Sequence, residues 1–412
     1  MNSITKVPIS CKVRRLLILL YGASTCFETF ALAGSSRNYT LSFIMAIIYV
    51  LSLVPFLGDV YSILNRYLRY IRPFFLFFIL LCLMNWFNEN QYNVPIISIS
   101  ILSCFTVFMC MLIHSKNDPH AITYCMYGYM IGAVLLSVLY VMGIGVHMEL
   151  GIDIAEDERI SMFGLNQNGL GMTMVNGITL IVLYIIMYNK WNIGIWRYLS
   201  ILLIVPMVTL MFAAASRAAF IALAVIMVCF VFLYKTKHFY TRILFIIIGF
   251  IGIWFAYEYF ISSDSLMYVR IMQTIEEGNS SGRVDIWDKL MPRLMESPLL
   301  GVGQTGYSLI SHQVLMSLPV AMYENGYSPH NVLIEIFAYT GIVGLAFMLI
   351  FWFRLACDSI VCYKKANNLI PILLLIPVAV FIMTGQILNN KFAWVLYAYI
   401  AVQGYNIKHH QQ

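Results

Sequence analysis

Along the chain, apolar runs about 20 residues long alternate with short polar breaks, the length a helix needs to cross hydrocarbon. The pattern predicts about twelve spans, near 16–34, 39–57, 73–88, 95–113, 122–147, 165–187, 198–215, 218–234, 243–261, 330–353, 370–388 and 392–407. The third is short and the last is weakly apolar. Two breaks are long. Residues 148–164 are acidic, with Glu149, Asp153, Glu156, Asp157 and Glu158. Residues 262–329 form a loop whose length points to function or disorder. Its segment SGRVDIWDKLMPRLMES places Trp287, Leu290, Met291 and Leu294 on one helical face, and Arg283, Asp285, Lys289 and Arg293 largely elsewhere. That predicts an amphipathic helix capped by Ser281 and bent at Pro292, followed by a turn-rich SPLLGVG from Ser297 to Gly303. Neither an internal repeat nor a pair of broken helices in matching positions is visible.

Composition agrees with a bilayer as solvent. Hydrophobic residues make up 61% of the 412, charged residues only 11%, and the mean hydropathy is +0.81. Such a chain cannot hide its apolar surface in one aqueous core. The net charge of +6 serves orientation rather than nucleic-acid binding. The first apolar run follows Arg14 and Arg15 but lacks a clean small-residue cleavage site, so it reads as a span rather than a signal peptide. The nine cysteines all fall outside the predicted outer loops and lack metal-finger spacing. They read as small buried apolar residues.

Basic residues set the orientation. With a cytoplasmic N-terminus, 17 of the 25 lysines and arginines fall on the cytoplasmic side, among them Arg14, Arg15, Arg66, Arg69, Lys116, Lys190, Arg242, Lys364 and Lys408. Arg37, Arg159, Arg217, Arg270, Arg283, Lys289, Arg293 and Lys391 fall on the outer side. Both long breaks are then outside.

Four places carry candidate chemistry. Arg217, in MFAAASRAAF, sits between two apolar runs with almost no loop. It either faces a cavity or partner at membrane depth or snorkels to the headgroups. His330 stands where the long loop re-enters the membrane, just after Pro329. It is either a base near neutral pH or an interfacial histidine satisfied by backbone. Asn331 and Glu335 follow on a shared helical face, with Glu335 about one turn inside the membrane. Arg283 offers a guanidinium suited to phosphate oxygens, or is a surface charge. Asn166, Gln167 and Asn168 open the sixth span, to cap it or to bind a sugar hydroxyl. Topology puts Arg217, Arg283 and His330 on one face. Two arginines suit a diphosphate and a histidine suits proton transfer. No carboxylate cluster marks a metal site and no phosphate-cradling glycine loop occurs, so neither a metal nor another cofactor is expected, and ATP hydrolysis is not.

These strings resemble the O-antigen ligase and polymerase superfamily of bacterial polysaccharide assembly. The similarity runs from about Gly164 to Gly344, through Asn166–Gly169, Ser216–Phe220, Gly282–Trp287, Ser297–Gly303 and Ser328–Asn331, with Gly341 beyond. Before residue 160 only hydropathy matches. The resemblance implies an all-α polytopic membrane protein with a C-type glycosyltransferase fold. Three regions follow: N-terminal transmembrane helices over 1–163, a family core over 164–353 with the periplasmic loop 262–329, and C-terminal transmembrane helices over 354–412. It further implies a multi-pass protein of the bacterial inner membrane, with its site facing the periplasm. The donor would be a glycan on undecaprenyl diphosphate, passed to a glycan acceptor without nucleotide sugars. By that likeness Arg217 and Arg283 hold the diphosphate, His330 activates or positions the acceptor hydroxyl, and Asn331, Glu335 and Asn168 support them.

The expected activity is polymerisation of lipid-linked repeat units. A ligase moving glycan onto lipid A-core shares the same strings, and a transporter or flippase is the competing class. Chain-length regulator and flippase proteins are the partners expected.

Overall fold

The computed structural model describes residues 8–31, 40–89, 96–149, 159–188, 193–194, 196–235, 283–315, 327–385 and 388–409. The predicted ninth span, most of the acidic stretch and residues 262–282 and 316–326 of the long loop lie outside the described residues.

The chain is built of helices: α1 (Ile9–Ser24), α2 (Leu41–Ser52), α3 (Val60–Phe87), α4 (Ile96–Asn117), α5 (Ala121–Val141), α6 (Gln167–Leu180), α7 (Trp196–Leu199), α8 (Ile204–Ala213), α9 (Arg217–Leu233), α10 (Arg283–Leu294), α11 (Gly303–Leu315), α12 (Val332–Ala366), α13 (Ile370–Thr384) and α14 (Lys391–His409). Helix α6 continues as a π-helical turn over Ile181–Met187. Among the described residues, five stretches are long and apolar enough to cross a membrane: Val54–Phe87, Ser98–Asn117, Ala121–Val141, Gln167–Met187 and Val332–Ala366. Leu41–Ser52, Ser200–Ala213, Arg217–Leu233 and Ile370–Thr384 are apolar but shorter. Exposed Ile47, Phe75, Val228 and Phe353 give the outside of the bundle an apolar surface suited to lipid.

The helices differ from the sequence expectation where charge was read as loop. The short third span belongs to the long α3, because Arg66, Arg69 and Arg72 lie inside the helix. Helix α12 runs past Arg354 to Ala366 because Asp358, fully buried, meets Arg69, Tyr70 and, at 2.6 Å, Lys408 Nζ. Part of the acidic stretch forms a strand pair, β1 (Val146–Glu149) antiparallel to β2 (Arg159–Met162), where a loop was expected. The weakly apolar last span, α14, has every residue from Phe392 to Val402 buried. Wrapped by protein, it need not match lipid.

Close helix contact depends on small residues. Helix α1 packs on α5 at Gly128, where an added Cβ would lie 1.9 Å from the Leu19 carbonyl oxygen. Ion pairs tie the helix ends at one pole. Arg15 grips Asp118 through Nε at 2.5 Å and Nη2 at 2.8 Å, and Lys116 Nζ meets Asp59 at 2.6 Å.

Candidate functional site

The opposite pole carries the sequence-predicted residues, on two sets of elements. The first set is α10, the Tyr327–Asn331 segment and the start of α12. Helix α10 buries Ile286, Leu290 and Leu294, with Trp287 and Met291 half-buried, close to the face read from the sequence. Pro292 stands two residues before its end, where a missing N–H ends a helix readily. The Trp287 indole donates to the Pro329 carbonyl at 2.8 Å. That bond fixes the residue just before His330 to the helix that Arg283 opens.

His330 adopts a left-handed backbone with φ of 50°, and its N–H donates to Ser328 Oγ at 3.2 Å. The ring packs edge-on against Tyr327, with centroids 5.4 Å apart. Burial, reinforced by the positive charge of Arg283, pushes its pKa down to about 4. The imidazole is therefore neutral near pH 7 and has a lone pair to accept a proton. Asn331 caps α12, its side-chain oxygen accepting from Leu333 N at 2.9 Å and Ile334 N at 3.3 Å. Glu335 is buried and accepts from the Tyr339 hydroxyl at 3.1 Å. Each of these two side chains bonds within its own stretch of helix.

Helix α12 is broken nine residues after it begins. Gly341 has φ of 60°, and the SPLLGVG turn fills the break. Ile342 N donates to Pro298 O at 2.9 Å, Val343 N to Leu299 O at 3.2 Å, and Val302 N to Ala338 O at 2.8 Å. The backbone groups that the break releases are satisfied by the turn after α10. A Cβ on Gly341 would lie 2.3 Å from the Leu299 carbonyl. Arg283 and His330 are therefore joined twice, through Trp287 and through this clasp. The sequence reading contained no broken helix. The break is packed with protein backbone rather than open to a pathway.

The second set is the starts of α6 and α9. Asn166 caps α6 by accepting from Gly169 N at 2.8 Å. Ser216 caps α9, and its hydroxyl donates to Asn168 Oδ1 at 2.9 Å. Asn168 thus holds the residue that precedes Arg217. Among the described non-glycine residues, Phe163, Ala215, His330 and Asn367 have positive φ. The first three stand at or within three residues of Asn166, Arg217 and His330, and such backbone outliers gather at functional sites.

Sequence reasoning placed Trp287 on the apolar face of its helix without its bond to Pro329, and passed over a set of polar residues beside the second group: Glu28, Asn176 and Asn390. Their signal was a polar side chain interrupting an apolar run, as in CFETFAL and MTMVNGITL.

The fold is that of a helical membrane protein, with Arg217, Arg283 and His330 each at or within two residues of a helix start. Residues 202–349 match the family model described as O-antigen ligase. That partial match supports a likeness to the O-antigen ligase/polymerase superfamily. The match spans the segments bearing Arg217, Arg283 and His330 and begins after Asn166 and Asn168. No curated protein matches the chain.

Proposed function

We propose that this chain is a membrane glycosyltransferase that polymerises repeat units carried on undecaprenyl diphosphate at the periplasmic face of the inner membrane. The observation that carries the reading is the placement of the half-buried His330 near Arg283, their segments tied together by the Trp287–Pro329 bond. An arginine next to a histidine disfavours the protonated ring and holds it ready as a base.

In the proposed reaction the acceptor hydroxyl oxygen attacks the anomeric carbon of the donor glycan. Its proton passes to His330, and the bond from the anomeric carbon to the diphosphate oxygen breaks. The bonding electrons leave with the lipid diphosphate, which gains negative charge. Arg283, at the positive N-terminal end of α10, and Arg217, the first residue of α9, would stabilise that charge more in the transition state than in the ground state. Asn168 supports Arg217 through Ser216. Asn331 supports His330 by capping the helix that follows it.

A ligase delivering glycan to lipid A-core is the second reading, favoured by the description of the matching family. A deletion strain separates the two when its lipopolysaccharide is run on a gel. Single repeats on core are the result expected of a missing polymerase. Bare core with lipid-linked polymer accumulating would make the chain a ligase. Chain-length regulator and flippase proteins are proposed partners of the polymerase reading.

A further inference from the structure

A polar recess lies between the end of α1, α6 and the start of α14, lined by Thr25, Glu28, Tyr129, Thr173, Asn176 and Asn390 among others. Its volume is about 20 Å³, room for one water or one hydroxyl group and not for a sugar ring.

The hydrogen bonds around it decide what it accepts. Thr25 Oγ1 donates to Gly22 O and Thr173 Oγ1 to Gly169 O, at 2.7 and 2.8 Å. Both hydroxyl protons are committed, so both oxygens retain acceptor lone pairs. The Glu28 carboxylate accepts one bond on each oxygen, from Asn390 Nδ2 and from the Lys391 N–H, each at 3.3 Å. It has capacity for more. Asn176 is only 6% exposed, and its Oδ1 has no hydrogen-bond partner among the described residues. Its Nδ2 lies 3.5 Å from the Tyr129 hydroxyl. Turning the amide over would satisfy the oxygen and strand the nitrogen instead. One end of this buried amide is unmet either way, and leaving such a group unmet is costly. The recess therefore calls for a hydroxyl, which can donate to the amide oxygen or accept from the amide nitrogen.

Its position gives that hydroxyl a source. Gly169 lines the recess, and Asn168, the preceding residue, holds the Ser216 cap of Arg217. A sugar attached to a diphosphate at Arg217 would lie within reach of it.

We propose that the recess is a specificity subsite that takes one hydroxyl of the lipid-linked glycan, on the sugar attached to the diphosphate, with the unmet end of the Asn176 amide and the Glu28 carboxylate as its partners. This rests on the glycosyl-transfer reading above.

The test uses the purified full chain in lipid nanodiscs and the lipid-linked oligosaccharide extracted from a strain lacking it. Asn176→Leu closes the recess, and the expected result is a KM raised about tenfold with kcat nearly kept, the pattern of lost ground-state binding. Thr173→Val alters one atom and keeps the fold within reach if the leucine variant accumulates poorly; it is expected to raise KM severalfold. Wild-type KM in both folded variants overturns the subsite and leaves a recess that holds only structural water. Absence of turnover by the wild-type chain on this substrate overturns the glycosyl-transfer reading itself, and the subsite with it.

Discussion

The two poles of the molecule surround particular basic side chains differently. At one, basic side chains close on carboxylates: Arg15 on Asp118, Lys116 on Asp59, and both Arg69 and Lys408 on the buried Asp358. At the other, Arg283 stands beside His330 and makes its protonation harder. The buried acid nearest in sequence, Glu335, bonds to Tyr339. Pairing of the first kind holds helices in register. A cation near a histidine makes the protonated ring costlier and leaves the neutral imidazole favoured.

If the contrast is one of structure against chemistry, substitutions at the two poles should separate stability from turnover. The largest effect is expected at His330. His330→Ala should lower transfer by about a hundredfold or more while the protein accumulates normally. Near-normal polymer from that variant at matched abundance would remove His330 from the chemistry.

The arginines come next. Arg283→Lys and Arg217→Lys keep the charge and lose the planar paired contact, and each is expected to cut kcat by roughly tenfold or more. An arginine that only anchors its helix in headgroups would tolerate lysine. Unimpaired lysine variants at both positions would therefore end the diphosphate assignment.

At the opposite pole, Asp358→Asn should show the reverse pattern. It leaves Arg69 and Lys408 without their shared carboxylate, so the thermal midpoint should fall while turnover per folded molecule stays near wild type. A selective loss of kcat there would erase the distinction between the poles.

The smallest effect expected is on pH dependence. With the His330 pKa pushed down to about 4, the neutral base persists through the neutral range and is lost only on acidification. The kcat/KM profile, which reports the free enzyme, should be flat through neutrality and fall toward that low pKa. A bound diphosphate adds negative charge and favours the imidazolium, so kcat should begin to fall at a higher pH than kcat/KM. A rate that rises on acidification would contradict a base at this position.

Much of this architecture was legible in the sequence. Apolar run length marked most helices, the face of α10 followed from the spacing of Trp287, Leu290, Met291 and Leu294, and the capping reading of the Asn166 segment holds at Asn166 itself. What escaped were contacts between distant segments. Arg69 inside α3 looked like a loop residue because its partner Asp358 lies far along the chain. The break at Gly341 carries no local mark, since the carbonyls that fill it come from Pro298 and Leu299. Glu28 and Asn176 were visible as polar interruptions, but only the fold places them in one recess.

The most direct test of the central claim supplies the purified chain in nanodiscs with the lipid-linked oligosaccharide and no nucleotide sugar, then follows the lipid-linked glycan by gel. The expected result is a ladder of longer glycans from the wild-type chain and none from His330→Ala. A folded wild-type chain that leaves the oligosaccharide at a single repeat, or a ladder that survives the loss of His330, would contradict the account.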